Sequence, residues 1–161
     1  MPFTPFHLGP GLATKALGGR HFSFMVFGGT QVLMDIEPLI RMYAGTSWVH
    51  GYTHTIPGAI VVGGIAALSG KPISSFVLSR FHIPHYPITW RVSCASAFVG
   101  SVSHLVLDAI MHDDVMPFWP ASEANGLLYL LTVWHLHVLC LVLGVLGAVG
   151  VLFRIAHAGK A

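Results

Sequence analysis

Hydrophobic residues along this chain run in long blocks, with neither the two-residue alternation of a half-buried strand nor a sustained heptad. Four segments are long enough to cross a bilayer as helices at about 1.5 Å per residue. They are Phe22 to Arg41, His50 to Gly70, Val92 to His112 and Leu127 to Phe153. Backbone in lipid must satisfy its own hydrogen bonds, so such blocks are predicted to be helical. The second opens on a polar turn, HGYTHT, before continuing as IPGAIVVGGIAALSG. Gly63, Gly64, Gly100, Ser101, Ser103, Gly144 and Gly147 suit close approach between helices. The predicted fold is all-α: a polytopic membrane bundle of four transmembrane helices plus a short N-terminal helix, in one domain over residues 1–161.

Composition narrows the class further. Of 161 residues, 54% are hydrophobic and only 9% charged, with a mean hydropathy of +0.72. An ordinary soluble domain carries roughly 25% charge, and a small one needs it most because its surface is large for its volume. The pattern excludes a disordered chain, a disulfide-built secreted domain and a nucleic-acid binder, since a net charge of +2 makes no phosphate-binding face. The opening residues, MPFTPFHLGPGLATKALGG, lack the basic and then apolar regions of a signal peptide. Cys94 and Cys140 lie in apolar runs and are expected to be packed free thiols.

Charge placement predicts an orientation. Lys15 and Arg20 precede the first long segment, Lys71, Arg80 and Arg91 lie between the second and third, and Arg154 and Lys160 follow the fourth. With four crossings these share one side, the cytoplasmic one by the positive-inside rule, and Arg41 stands alone on the other. Asp35, Glu37, Asp113, Asp114 and Glu123 gather toward the outer side, with Asp108 one turn below.

Eleven histidines outnumber the six acids, and several stand beside carboxylates within the apolar blocks. Ionisable groups inside a membrane are costly and mark a functional site by default. His104 and Asp108, in SHLVLD, are four residues apart and share one helix face. His50 and His54 repeat that spacing, His112 extends the third segment's face by a turn, and Asp35 lies deep in the first. The alternating crossings bring Asp35, His50, His54, His104 and Asp108 to one level. Imidazoles with carboxylates form a ligand set for zinc or another divalent first-row metal. A structural hydrogen bond or a proton relay would use the same pairs. His7 reaches that level only if the N-terminal helix is re-entrant, with Lys15 and Arg20 at its cytoplasmic end. His82 and His85 belong to a Pro-rich surface loop, His21 and His157 to membrane borders, and at most one of His135 and His137 faces the interior. Asp113 and Asp114 fit either a supporting shell or a solvated end; Ser122, Glu123 and Asn125 fit a cap or an entrance.

The order of His7, the Asp35-x-Glu37 pair, HGYTHT and GSVSHLVLD leading to FWP resembles the LexA-regulated, membrane-bound metal-dependent hydrolase family over roughly residues 7 to 120. That family is compared with the helical zinc phospholipases C, which also clamp metal with a His-x-x-x-Asp helix. The resemblance implies metal ligands among His7, Asp35, His50, His54, His104 and Asp108, and a bacterial inner membrane with the site toward the extracytoplasmic side. Two positions depart from the pattern: Glu37 replaces a second Asp, and Gly51-Tyr52 stands where Arg-Gly usually follows the first His. The missing Arg removes a natural phosphate clamp.

The expected chemistry is metal-dependent hydrolysis of an ester or phosphodiester in a lipid or lipid-linked substrate that arrives from the bilayer. Six candidate ligands exceed what one catalytic zinc needs, so one or two ions are expected, with Asp35 or Asp108 bridging. Glu37 is the expected general base and His112 the general acid. Membrane lipids are the expected partners and nucleic acid is not. Two rival readings use the same residues: a metal or proton transporter, disfavoured by the apolar inner halves of the helices, and a structural protein stapled by metal.

Overall fold

A computed structural model describes residues 5–83 and 85–158; Lys160 lies outside the described residues. Five helices form it: α1 (Leu8–Gly18), α2 (Phe24–Tyr43), α3 (Ile56–Arg80), α4 (Trp90–Met111) and α5 (Val133–Ala158). Short 3₁₀ turns occupy Pro5–His7, Gly19–His21 and Tyr52–His54, and no strand occurs among the described residues. α1 lies along α5, α3 along α4, and α2 packs against both α3 and α4.

Helix starts follow local chemistry. Ser23, Thr55 and Thr89 cap α2, α3 and α4, each hydroxyl accepting the amide three residues on: Val26, Gly58 and Val92. Thr55 with Pro57 behind it moves the start of α3 beyond the HGYTHT turn, which stays outside the helix. At its other end α3 runs through Pro72 to Arg80, ten residues past the expected Gly70. A proline loses one helical hydrogen bond, and helices in lipid tolerate this. α5 starts at Val133 instead of Leu127. The residues between form turns around Asn125, whose amide donates to Ala109 O while Tyr129 N donates to Ile110 O. These bonds satisfy the last carbonyls of α4, so Asn125 is a cap for that helix.

Three helices, α3, α4 and α5, are long and apolar enough to cross a membrane, one fewer than expected. The exception is α2, which carries Gln31, Asp35, Glu37 and Arg41. Its polar residues are compensated inside the bundle: Gln31 Nε2 donates to Gly100 O at 3.1 Å, and Asp35 is buried among histidines. Outside, the helices present Ile60, Val61, Leu68, Leu146, Val149 and Leu152 to their surroundings. Exposed aliphatic surface on this scale suits lipid and not water. Cys140 is buried as expected, whereas Cys94 faces outward from α4.

The interior is held largely by small and polar residues. Ser93 Oγ donates to Ala67 O at 2.7 Å, and Ser96 Oγ accepts Ser23 N at 2.8 Å, tying α4 to α3 and α2. α1 approaches α5 backbone to backbone: a Cβ at Gly9 would land on Cys140 O, and one at Gly147 on Leu12 and Ala13. Those two glycines set the depth at which α1 docks, and with it the position of His7. α1 is therefore a short element of about 16 Å that starts at the level of the buried histidines and ends near Lys15 and Arg20.

Candidate metal centre

Asp108, on the last turn of α4, is the hub. Its Oδ2 lies 3.0 Å from His54 Nε2, 3.1 Å from His104 Nε2 and 3.9 Å from His50 Nε2. Its Oδ1 lies 3.5 Å from His7 Nε2 and 4.0 Å from His112 Nε2. His104 Nε2 also stands 3.3 Å from Asp35 Oδ1. Four helical or turn segments thus converge on one carboxylate: His7 ahead of α1, Asp35 from α2, His50 and His54 ahead of α3, and His104, Asp108 and His112 from α4 and its end. All but His112 are buried.

Two overlapping groups have donor atoms within 4.8 Å of one another: Asp35, His54, His104 and Asp108, and His50, Asp108 and His112. Donors about 2.0–2.1 Å from a tetrahedral zinc stand about 3.4 Å from each other, close to the 3.0–3.9 Å seen between the Nε2 atoms of His50, His54 and His104 and the Asp108 oxygen. The sets differ in access. The first is closed off, while the second reaches the rim through the part-exposed His112, which stacks on His50 at 4.3 Å between ring centres.

The hydrogen bonds behind the rings assign their tautomers. Gln31 Nε2 donates to a backbone carbonyl, so its Oε1 is the acceptor, and His104 Nδ1–H donates to it at 2.7 Å. The Thr53 hydroxyl donates to Glu37 Oε2 at 2.8 Å, which makes its oxygen the acceptor for His54 Nδ1–H at 3.0 Å. His50 Nδ1–H donates to Asp114 Oδ1 at 2.6 Å. Three imidazoles therefore turn Nδ1 outward to a fixed acceptor and Nε2 inward, the arrangement that orients metal-ligating histidines. His104 Nε2 nears both carboxylates without the alignment of a hydrogen bond, and neither nitrogen of the buried His7 has a hydrogen-bond partner.

Lone pairs aimed at carboxylate oxygens repel unless a positive charge lies between them. Protons alone would place imidazolium rings 4.8–5.2 Å apart, between His50 and His54 and between His54 and His104. A divalent cation satisfies the same donors without that repulsion. The buried His/Asp cluster can hold a metal ion.

Glu37, expected as general base, stands outside the cluster. Its Oε1 accepts Tyr52 N and Arg41 Nε at 3.1 and 2.9 Å, and its Oε2 accepts the Thr53 amide and hydroxyl at 2.7 and 2.8 Å. With four donors its oxygens are occupied, and it bears on the site only through Thr53 and His54. Pro38 adds to this link. It cannot donate to Met34 O, and Thr53 Oγ1 approaches that carbonyl at 3.4 Å. Asp114 proves the supporting member of the Asp113–Asp114 pair, whereas Asp113 is exposed. Partial burial pushes the Asp114 carboxyl up, but bonds from His50 N, His50 Nδ1 and Val49 N outweigh it and hold the group below its ordinary 3.8.

Gln31 and Thr53 are the site residues that sequence reasoning missed. Gln31 carried a usable signal, standing four residues before Asp35 on the same face of α2; Thr53 carried only its place beside His54. The other histidines stay apart: His82 and His85 are exposed in their loop, His135 bonds Thr132, and His137 stacks on Phe6. No protein-family model, no curated protein and no solved structure matches this chain.

Proposed function

We propose that this chain is a membrane-embedded hydrolase that uses one or two divalent cations, zinc foremost, to cleave an ester or phosphodiester of a lipid or lipid-linked substrate. The observation that carries the reading is the set of three buried histidines, each anchored through Nδ1, whose Nε2 atoms converge on Asp108. Bound there, a cation would act as a Lewis acid and lower the pKa of a water toward about 7. His54, His104, Asp35 and Asp108 would hold it, and His50, Asp108 and His112 a second, with Asp108 shared.

The chain's own residues supply orientation and proton handling. Gln31, Asp114 and the Thr53–Glu37 pair fix the imidazoles, so Glu37 is a positioning residue in this reading. With a single cation held by His54, His104, Asp35 and Asp108, His112 Nε2 would stay unligated at the more open group, placed to give a proton to a departing oxygen; with a second cation it would serve as a ligand instead. Arg41, bonded to Glu37 and 5.0 Å from the Trp48 ring centre, brings a cation to the same layer. A side chain at residue 51 would begin on the bonded Glu37 carboxylate and Arg41 guanidinium, so α2 supplies an arginine, with its paired acid, beside the position where the resembled family carries one in sequence. That favours an anionic substrate such as a phosphodiester. The resemblance of the HGYTHT and SHLVLD motifs to the LexA-regulated membrane hydrolases supports the same reading. The gathering of Lys and Arg at the opposite end of the bundle supports an orientation with the site toward the extracytoplasmic side, by the positive-inside rule, and the resemblance supports a bacterial inner membrane.

The test is elemental mass spectrometry of detergent-purified protein, wild type beside His104→Ala/Asp108→Ala, followed by assays on lipid esters and phosphodiesters. One or two equivalents of metal, lost with hydrolysis in the double variant, is the expected result. Hydrolysis undiminished in metal-free protein would overturn it. Metal-dependent flux in sealed vesicles without hydrolysis would assign the cluster to transport.

A further inference from the structure

A second polar site lies at the other end of the bundle. There a cavity of about 690 Å³ opens between the end of α1, the start of α2, the end of α5 and the loop before α4. Lys15 stands eight residues along the chain from His7, and Met25 ten before Asp35. About 12–15 Å of helix therefore separates this cavity from the histidines. Lys15, Arg20 and Arg154 all line it. Among the described residues no Asp or Glu side chain does, because Asp35, Glu37, Asp108, Asp113, Asp114 and Glu123 belong to the histidine end.

The cations are held in place. Lys15 Nζ donates to Gly19 O at 2.8 Å and Phe22 O at 2.7 Å, which leaves its third N–H free. Arg154 Nη2 donates to Leu17 O at 3.1 Å, and its Nη1 lies where a Cβ on Gly19 would stand. Gly19, with φ of 52°, thus allows Lys15 and Arg154 to flank one turn. Most donors of both guanidinium groups remain available, and their planar forks suit phosphate oxygens. The rest of the lining is largely apolar: Phe22, Met25, Leu78, Ile88, Val151 and Ile155.

Three cations with no acidic side chain beside them among the described residues call for an anion, and an apolar wall beside them calls for a hydrocarbon chain on the same molecule. We propose that this cavity binds an anionic phospholipid, its phosphate held by Lys15, Arg20 and Arg154 and its acyl chain lying along the wall formed by α2 and α5. Basic pockets between membrane helices on the Lys/Arg-rich side hold such headgroups. The inference does not depend on the chemistry proposed for the histidine cluster.

Native mass spectrometry of the full-length protein from micelles tests it, with phosphatidylglycerol, phosphatidylcholine and soluble glycerol phosphate as probes. Arg20→Gln and Arg154→Gln are the variants, since Lys15 also braces the α1–α2 turn. Wild type is expected to retain phosphatidylglycerol and shed phosphatidylcholine, with retention weakened about fivefold by each substitution and about 20-fold by both. A helical circular-dichroism spectrum and an unfolding midpoint in detergent equal to wild type show an intact fold in the variants. Should the pair fail to fold, Arg20→Gln decides alone, because among the described residues that exposed side chain bonds only its neighbour His21. Equal retention of phosphatidylcholine, or phosphatidylglycerol undiminished in the variants, would overturn the site. Glycerol phosphate competing as well as the lipid would overturn the lipid assignment.

Discussion

α4 and α5 are both long apolar helices, yet they occupy opposite positions in the molecule. α5 is the more hydrophobic, with a mean hydropathy of 2.6 against 1.5, but 17% of its apolar window is buried against 61% for α4. In water the order would be reversed. Lipid tails are as apolar as leucine, so no hydrophobic force drives a greasy helix inward, and small and polar residues decide which helix others gather around. α4 offers Ser93, Ser96, Gly100, His104 and Asp108 on buried faces. α5 offers little beyond the glycines that admit α1.

The comparison is broken most severely at Asp108. Asp108→Leu removes the carboxylate that five imidazoles surround. Breaking such buried pairing is expected to cost about 3–5 kcal/mol, read as a lower unfolding midpoint in detergent together with metal content at background. Retained metal would mean that α4 is central for packing alone.

The next largest effect is expected on α5. Gly147→Leu puts a side chain into the backbone of α1, an overpacking of about 1–3 kcal/mol, and should lift His7 from the cluster. Weaker metal retention against a chelator, without any change to a residue of the cluster on α2, α3 or α4, is the signature to measure.

Gln31→Leu sharpens the account of α4. It leaves His104 Nδ1–H without its acceptor and is expected to weaken metal affinity by about 10–100-fold, measured by competition with a chromophoric chelator. Affinity equal to wild type would mean that the tautomer of His104 is fixed by other means. The smallest effect belongs to the outer face of α5: Leu146→Ala, at an exposed position, should change stability by no more than about 0.5 kcal/mol in the same unfolding assay.

Much of the helical content was legible because apolar run length is a local property. The apolar centres of α3, α4 and α5 fall inside the blocks read from sequence. The ends did not follow: Thr55 and Pro57 delay α3, Asn125 and Tyr129 divert the chain before α5, and α3 continues through Pro72. α2 looked like a span because its block is apolar on average. Gln31 and Asp35 belong to a bundle interior that periodicity cannot display.

For the candidate site, spacing placed His104 beside Asp108 on one face, and alternating crossings placed Asp35, His50 and His54 at one level. These relations need only the pitch of a helix and the direction of the chain. The roles of the supporting residues needed more. Glu37 reads as a free acid in sequence, and only its four donors from Arg41, Tyr52 and Thr53 show its oxygens to be occupied. Asp114 and Asp113 are indistinguishable neighbours until one turns to His50.

By itself, then, the sequence determined that this chain is helical, suited to a membrane, and polarised with its acids toward one end and all but one of its Lys and Arg toward the other. These follow from composition and one-dimensional order. Tertiary structure alone decided that His7 joins the cluster, because two glycines let α1 lie directly on the α5 backbone. It alone decided which ring nitrogen faces inward, since that depends on acceptors many residues away in the chain. Hydrogen-bond direction is set by partners in space, and no periodicity along a chain records it.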